Sequence, residues 1–164
     1  MIAVADASVL IALGGLKRLA WLHELFAEGV LTPSSVWREV VVRGKGRPGA
    51  EAVGMASWLQ VLEVSDPDYV RLLLGTLDIG EAEALALARE RHADVVLFDE
   101  KAARATAVQM GFRVLGTVGV LIWAKKTRRL ESLKEELERL RKTAGFYLAE
   151  SVVVSALRTV GEYS

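Results

Sequence analysis

The chain contains no cysteine. That excludes a disulfide framework and any thiolate-ligated metal. Only two histidines occur, His23 and His92. They are far apart and lack ligand spacing, and His92 follows a helix end and reads as its cap. No apolar run approaches the ~18 residues of a membrane span. The N-terminus shows no basic leader and no cleavage site, so a signal peptide is not expected. Charge of one sign is also missing: 21 basic and 21 acidic residues give a net charge of zero. Such a protein does not hold nucleic acid by general positive charge alone. A few acids gathered at a metal site would leave the remaining surface slightly basic, so nucleic acid stays open as a partner. There is no internal repeat, no low-complexity tract and no linker.

What is there is apolar and alternating. The 164 residues are 52% hydrophobic and 26% charged, which describes one globular domain with a substantial core. The opening run Val4-Ala5-Asp6-Ala7-Ser8-Val9-Leu10-Ile11 reads as a buried strand ending at Asp6, then a helix started by Ser8. Leu16 to Ala27 has helical spacing, and Val30-Leu31 is a short strand. Thr32-Pro33 reads as a helix start, with Thr as N-cap and Pro first in the helix. Arg43 to Gly49 is the clearest loop. A helix over Ala50–Trp58 and a strand over Leu59–Val64 follow. Asp66-Pro67 opens a helix to about Leu74, and Glu81–Arg91 forms a largely buried one. Asp94–Phe98 is a strand ending at Asp99, and Lys101–Met110 a helix closed by Gly111. A strand over Phe112–Leu115 and a helix over Thr117–Lys126 come next. The last two helices span Leu130–Lys142 and about Tyr147–Val160. Strands alternating with helices predict an α/β three-layer sandwich, its central mainly parallel sheet flanked by helices. Residues 1–164 are expected to form a single domain, with the helices after about residue 130 as an appendage.

Four acids fall at the places where an open parallel sheet builds its sites, beyond the carboxyl ends of the strands. Asp6 and Asp99 each end an apolar strand. Glu81 lies in the first turn of a buried helix, and Glu39 lies on a helix flank that could face the same crevice. Carboxylates brought that close repel one another. Mg²⁺ or Mn²⁺ is the natural counter-charge, because hard cations prefer oxygen ligands. Water activated at such a site could attack a phosphodiester. Each acid also has a plainer reading. Asp99 could cap the helix after it, and Asp78 with Glu81 fits a capping box. Glu39 could pair with Arg43, and Asp6 could bind the amides around Ser8.

At these residues the sequence resembles the PIN-domain family, and within it a prokaryotic branch related to the toxin nucleases of toxin–antitoxin pairs. The matching stretches are Val4 to Ile11, Pro33-Ser34-Ser35-Val36-Trp37-Arg38-Glu39-Val40, Gly80-Glu81-Ala82-Glu83-Ala84-Leu85-Ala86-Leu87-Ala88, Val96-Leu97-Phe98-Asp99-Glu100 and Gly116-Thr117-Val118-Gly119-Val120-Leu121. Each is short, and their order and spacing carry the resemblance over nearly the whole chain. It implies a metal-dependent ribonuclease in which Asp6, Glu39, Glu81 and Asp99 hold Mg²⁺ or Mn²⁺ and Ser8 supports the site. Glu83 competes with Glu81, but the family's third acid begins its helix, and Glu83 points about 200° away. Glu100 competes less strongly with Asp99. The arginine and lysine positions near the site match no family pattern, so no RNA-binding surface carries over.

The resemblance implies as partners an RNA substrate and a small antitoxin protein. A homodimer is a further option, no membrane is involved, and the setting is cytoplasmic. Two rivals stand beside this reading: a non-catalytic PIN-like module binding RNA or protein, and a phosphatase or DNA-acting nuclease using the same acids. Arg43, Lys45 and Arg47 read as a solvated loop that could touch phosphates. Lys125, Lys126, Arg128 and Arg129 read as a charged helix end. Trp21, Trp37, Trp58 and Trp123 read as core or interface rather than as base-stacking platforms, and the leucines of residues 130–140 as packing within the chain.

Overall fold

The centre of the molecule is built from strands too apolar to face water. In the computed structural model, which describes residues 1–163, β1 (Ile2–Ala5) is flanked by β2 (Gly29–Pro33) and β4 (Val95–Leu97). β3 (Leu59–Leu62) and β5 (Arg113–Leu115) complete a five-stranded, all-parallel sheet of order β3-β2-β1-β4-β5. Val4 aligns with Leu31 on one side and with Val96 on the other. Alternate residues on a strand face opposite sides. Ala3, Ala5, Val95 and Leu97 therefore join one core layer, whereas Val4, Val96 and Phe98 join the other.

The first layer is covered by α1 (Ala7–Gly15), α2 (Ala20–Leu25), α8 (Thr117–Lys126), α9 (Leu133–Ala144) and α10 (Glu150–Thr159). The second is covered by α5 (Pro67–Leu73), α6 (Ile79–Glu90) and α7 (Lys101–Gln109). Leu133, Leu137 and Leu140 of α9 are buried in the first core. The chain is thus the α/β three-layer sandwich its patterning predicts. Among the described residues no helix is long and apolar enough to cross a membrane.

Four local readings need correction. The apolar spacing from Leu16 does not make one helix. The Arg18 N–H donates to Leu13 O at 2.8 Å, closing α1 with Lys17 in a left-handed conformation at φ 61°, and α2 begins only at Ala20. A six-to-one bond of this kind satisfies the last carbonyls of a helix. Thr32-Pro33 is not a helix start either. Both residues belong to β2, and the Thr32 hydroxyl donates to Ala5 O at 2.8 Å, bridging β2 to β1. The helix begins one residue later as α3 (Ser34–Trp37) and widens into a π-helical stretch over Arg38–Arg43. A connection and α4 (Ala50–Met55) then lead to β3. α1 starts at Ala7 rather than Ser8, and α9 starts at Leu133 rather than Leu130.

Candidate metal centre

The winding of the sheet reverses between β1 and β4, and two acids leave it there side by side. Asp6 directly follows β1, and its backbone N–H donates to Leu97 O of β4 at 3.2 Å. Asp99 lies two residues past the end of β4. Neighbouring strands run about 4.8 Å apart. Both acids therefore open onto the crevice at the carboxyl edge, where parallel sheets collect their ligands.

Asp6 is only 7% exposed. Burial pushes its carboxyl from 3.8 up to about 7; the Ala7 N–H opposes the rise, and the negative charges of Asp78, Glu81 and Glu39 add to it. Glu81 arrives on the first turn of α6. Its N–H donates to Asp78 Oδ1 at 2.8 Å, while its Oε2 accepts from the Asp78 N–H at 3.1 Å. The capping box read from the sequence is therefore real, and it presents Glu81 to the crevice. Burial raises the Glu81 carboxyl, the Asp78 backbone N–H counters it, and the Asp78 and Glu100 carboxylates raise it further.

Asp78 is the residue that sequence reasoning missed. A Cβ placed on Gly80 would lie 3.6 Å from Asp6 Oδ1 and 3.6 Å from Asp78 Oδ1, so the two carboxylates flank one glycine. The only signal for it was its place just before Gly80-Glu81, and the capping motif already accounted for that.

Asp99 is held differently. It does not cap α7, whose N-cap is Glu100 without a side-chain bond. Instead the Thr117 N–H and Oγ1, at the start of α8, donate to its Oδ1 and Oδ2, each at 2.8 Å. Burial raises the Asp99 carboxyl; Thr117, Ser8 and Arg104 pull it down without cancelling the rise. Arg104 is anchored beside it by donation from Nη1 to Phe98 O at 2.9 Å. Gly116 leaves no spare room: a Cβ there would come within 2.9 Å of Asp99 Oδ1 and 2.8 Å of Arg104 Nη1. The Ser8 hydroxyl is enclosed and has no hydrogen-bond partner of full geometry. It nevertheless faces Asp99 closely enough to ease its charge, a weak contact.

Glu39 is exposed on the π-helical stretch, and its charge reaches Asp6. Its neighbour Arg38 pairs with Glu63 at 3.9 Å, and no Glu39–Arg43 pair forms among the described residues. Glu83 is turned aside and accepts from Ser35 Oγ on α3. Of the two competing glutamates, Glu81 is the one whose charge acts on Asp6.

Among the described residues, no three acidic or histidine side chains close into a ready-made ion cage. Glu81 Oε2 and both Asp99 oxygens each accept from N–H or O–H donors within the chain. The set still suits a hard divalent cation: every donor is oxygen, the charges crowd one another, and Ser8 Oγ is an enclosed hydroxyl without a full partner.

No curated protein matches the chain. A family model does: the model described as a PIN domain covers residues 2–162. That family has a nuclease-type fold and is generally metal-dependent. Matched over residues 2–162, all but its extreme ends, the chain belongs to the PIN-domain family.

Proposed function

We propose that this PIN domain is a divalent-metal-dependent endoribonuclease of the toxin type, restrained by a small antitoxin protein. The observation that carries the reading is the crowding of buried Asp6 by Asp78, Glu81 and Glu39. Carboxylates so placed stay partly protonated unless a cation balances them. Asp6, Asp99, Glu81 and, from the rim, Glu39 would hold Mg²⁺ or Mn²⁺ directly or through water. An ion held there would supply an activated water for in-line attack on an RNA phosphodiester, so no covalent enzyme intermediate would be needed. Thr117 fixes Asp99 in place, and the enclosed Ser8 hydroxyl faces the same carboxyl.

One observation favours a second reading, a non-catalytic RNA- or protein-binding module: the engaged oxygens of Glu81 and Asp99. Digestion of RNA, single-stranded DNA and a phosphate monoester in parallel, each with Mn²⁺ and with EDTA, separates the readings. RNA alone is expected to be cut, only with the metal, and not by Asp6→Ala or Asp99→Ala. Cleavage of DNA or of the monoester instead would replace the substrate. Equal RNA binding by wild type and Asp6→Ala, with no cleavage by either, would establish the module.

A further inference from the structure

Next to the acids the structure opens a cavity of about 1070 Å³ that the carboxylate chemistry does not use. Ser8 and Asp99 line it, so it adjoins the Asp99 side of the candidate metal centre. Lys101 and Arg104 of α7 line it too, with Glu100 beside them. Ile11 of α1 and Ile122 of α8 give it an apolar lining, and α10 contributes Ser155 and Ala156. The segment between α9 and α10 contributes Tyr147, which is 86% exposed.

An aromatic ring that exposed contributes little to the fold. Beside a cavity lined by apolar side chains and by Lys101 and Arg104, it has the form of a stacking platform for single-stranded nucleic acid. The charge balance points the same way. With a net charge of zero, the chain has little general phosphate attraction, so base contacts would add to what local cations such as Lys101 and Arg104 supply. A polyanion with flat apolar faces matches a lining that mixes Lys101 and Arg104 with apolar side chains.

We infer that the cavity binds one unpaired nucleotide of a single-stranded RNA, its base stacked on Tyr147 and its phosphate on Lys101 and Arg104. The adjoining phosphodiester is thereby led to Asp99 and Asp6. The inference deepens the ribonuclease reading and rests on it for the identity of the strand.

The test is binding of a short fluorescein-labelled oligouridylate to the full chain in EDTA, read by anisotropy, so that affinity is measured apart from cleavage. Tyr147→Ala is expected to weaken binding about 5- to 150-fold, the worth of one base–aromatic stack, and Tyr147→Phe to preserve it. Ser155→Trp, on the α10 side of the cavity, should weaken binding by filling the space. A strand without bases should bind wild type as poorly as the intact strand binds Tyr147→Ala. Undiminished affinity in Tyr147→Ala and Ser155→Trp overturns the inference and leaves the surface to a protein partner, as does a wild type that binds no RNA. RNA cut with Mn²⁺ but bound equally by all variants defeats the cavity assignment alone. RNA bound through Tyr147 but never cut defeats the nuclease reading alone.

Discussion

A carboxylate that titrates near neutrality ties stability to pH in the opposite direction from most acids. Asp6 is raised from 3.8 to about 7, first by burial. An acid with a raised folded value prefers its proton in the native state. Its contribution is complete below its ordinary value and is lost as pH rises through about 7. Without metal, the protein should lose stability between about pH 4 and pH 7 on this account. Asp6→Asn removes the charge at nearly constant shape. It should stabilise the metal-free protein at pH 8 by roughly 2–4 kcal/mol and flatten that slope, as urea unfolding at several pH values will show. At the other pole, Gly116→Ala would drive a methyl between Asp99 and Arg104. The backbone there is ordinary, at φ −102°, so the effect is steric. The expected result is at least about a tenfold loss of RNA cleavage rate with at most about 1–2 kcal/mol of stability, because the group displaced belongs to the site. Asp6 and Asp99 were legible because each interrupts an apolar run. Asp78 was not, because one carboxylate serves both as a helix cap and as a neighbour of Asp6.

Elements were legible where local chemistry alone decides them. The Thr117–Lys126 helix matches its spacing, and Asp78 with Glu81 caps α6 as the motif says. Errors arose where distant contacts decide. Thr32-Pro33 carries a helix-start signature, yet pairing with β3 and the Thr32 bond to Ala5 keep it in the sheet. The π-helical stretch that carries Glu39 has no local signature. The start of α9 has a local part, Ser132 as N-cap accepting from the Glu135 N–H at 3.2 Å, and a distant one: Glu162 accepts from the Leu133 N–H at 2.7 Å and the Lys134 N–H at 3.3 Å, with Lys125 at 3.4 Å. Burial alone would raise that carboxyl, but these partners outweigh it and hold it below 4.5. A lowered acid stabilises above its ordinary value and loses that contribution as pH falls through the folded one. Glu162→Gln should therefore cost about 1 kcal/mol at pH 7 and almost nothing near pH 3, measured by denaturant titration at both.

For the molecule as a whole, a cation that binds only the native state must raise the melting temperature. Mn²⁺ at about a hundred times its dissociation constant adds about 2.7 kcal/mol, or roughly 5–10 °C for a chain of this length. Asp6→Asn should blunt that rise. An unchanged melting curve for wild type would remove the metal from the account.

The strand order has a consequence for how the molecule comes into being. β1 is made first, yet it lies between β2 and β4, and Asp99 is fastened only once Thr117 exists. A ribosome therefore releases Asp6 long before the residues that complete its surroundings. No fragment of the nascent polypeptide that stops short of Thr117 holds both poles of the crevice as they stand in the fold, so whatever chemistry resides there stays silent until that residue is made.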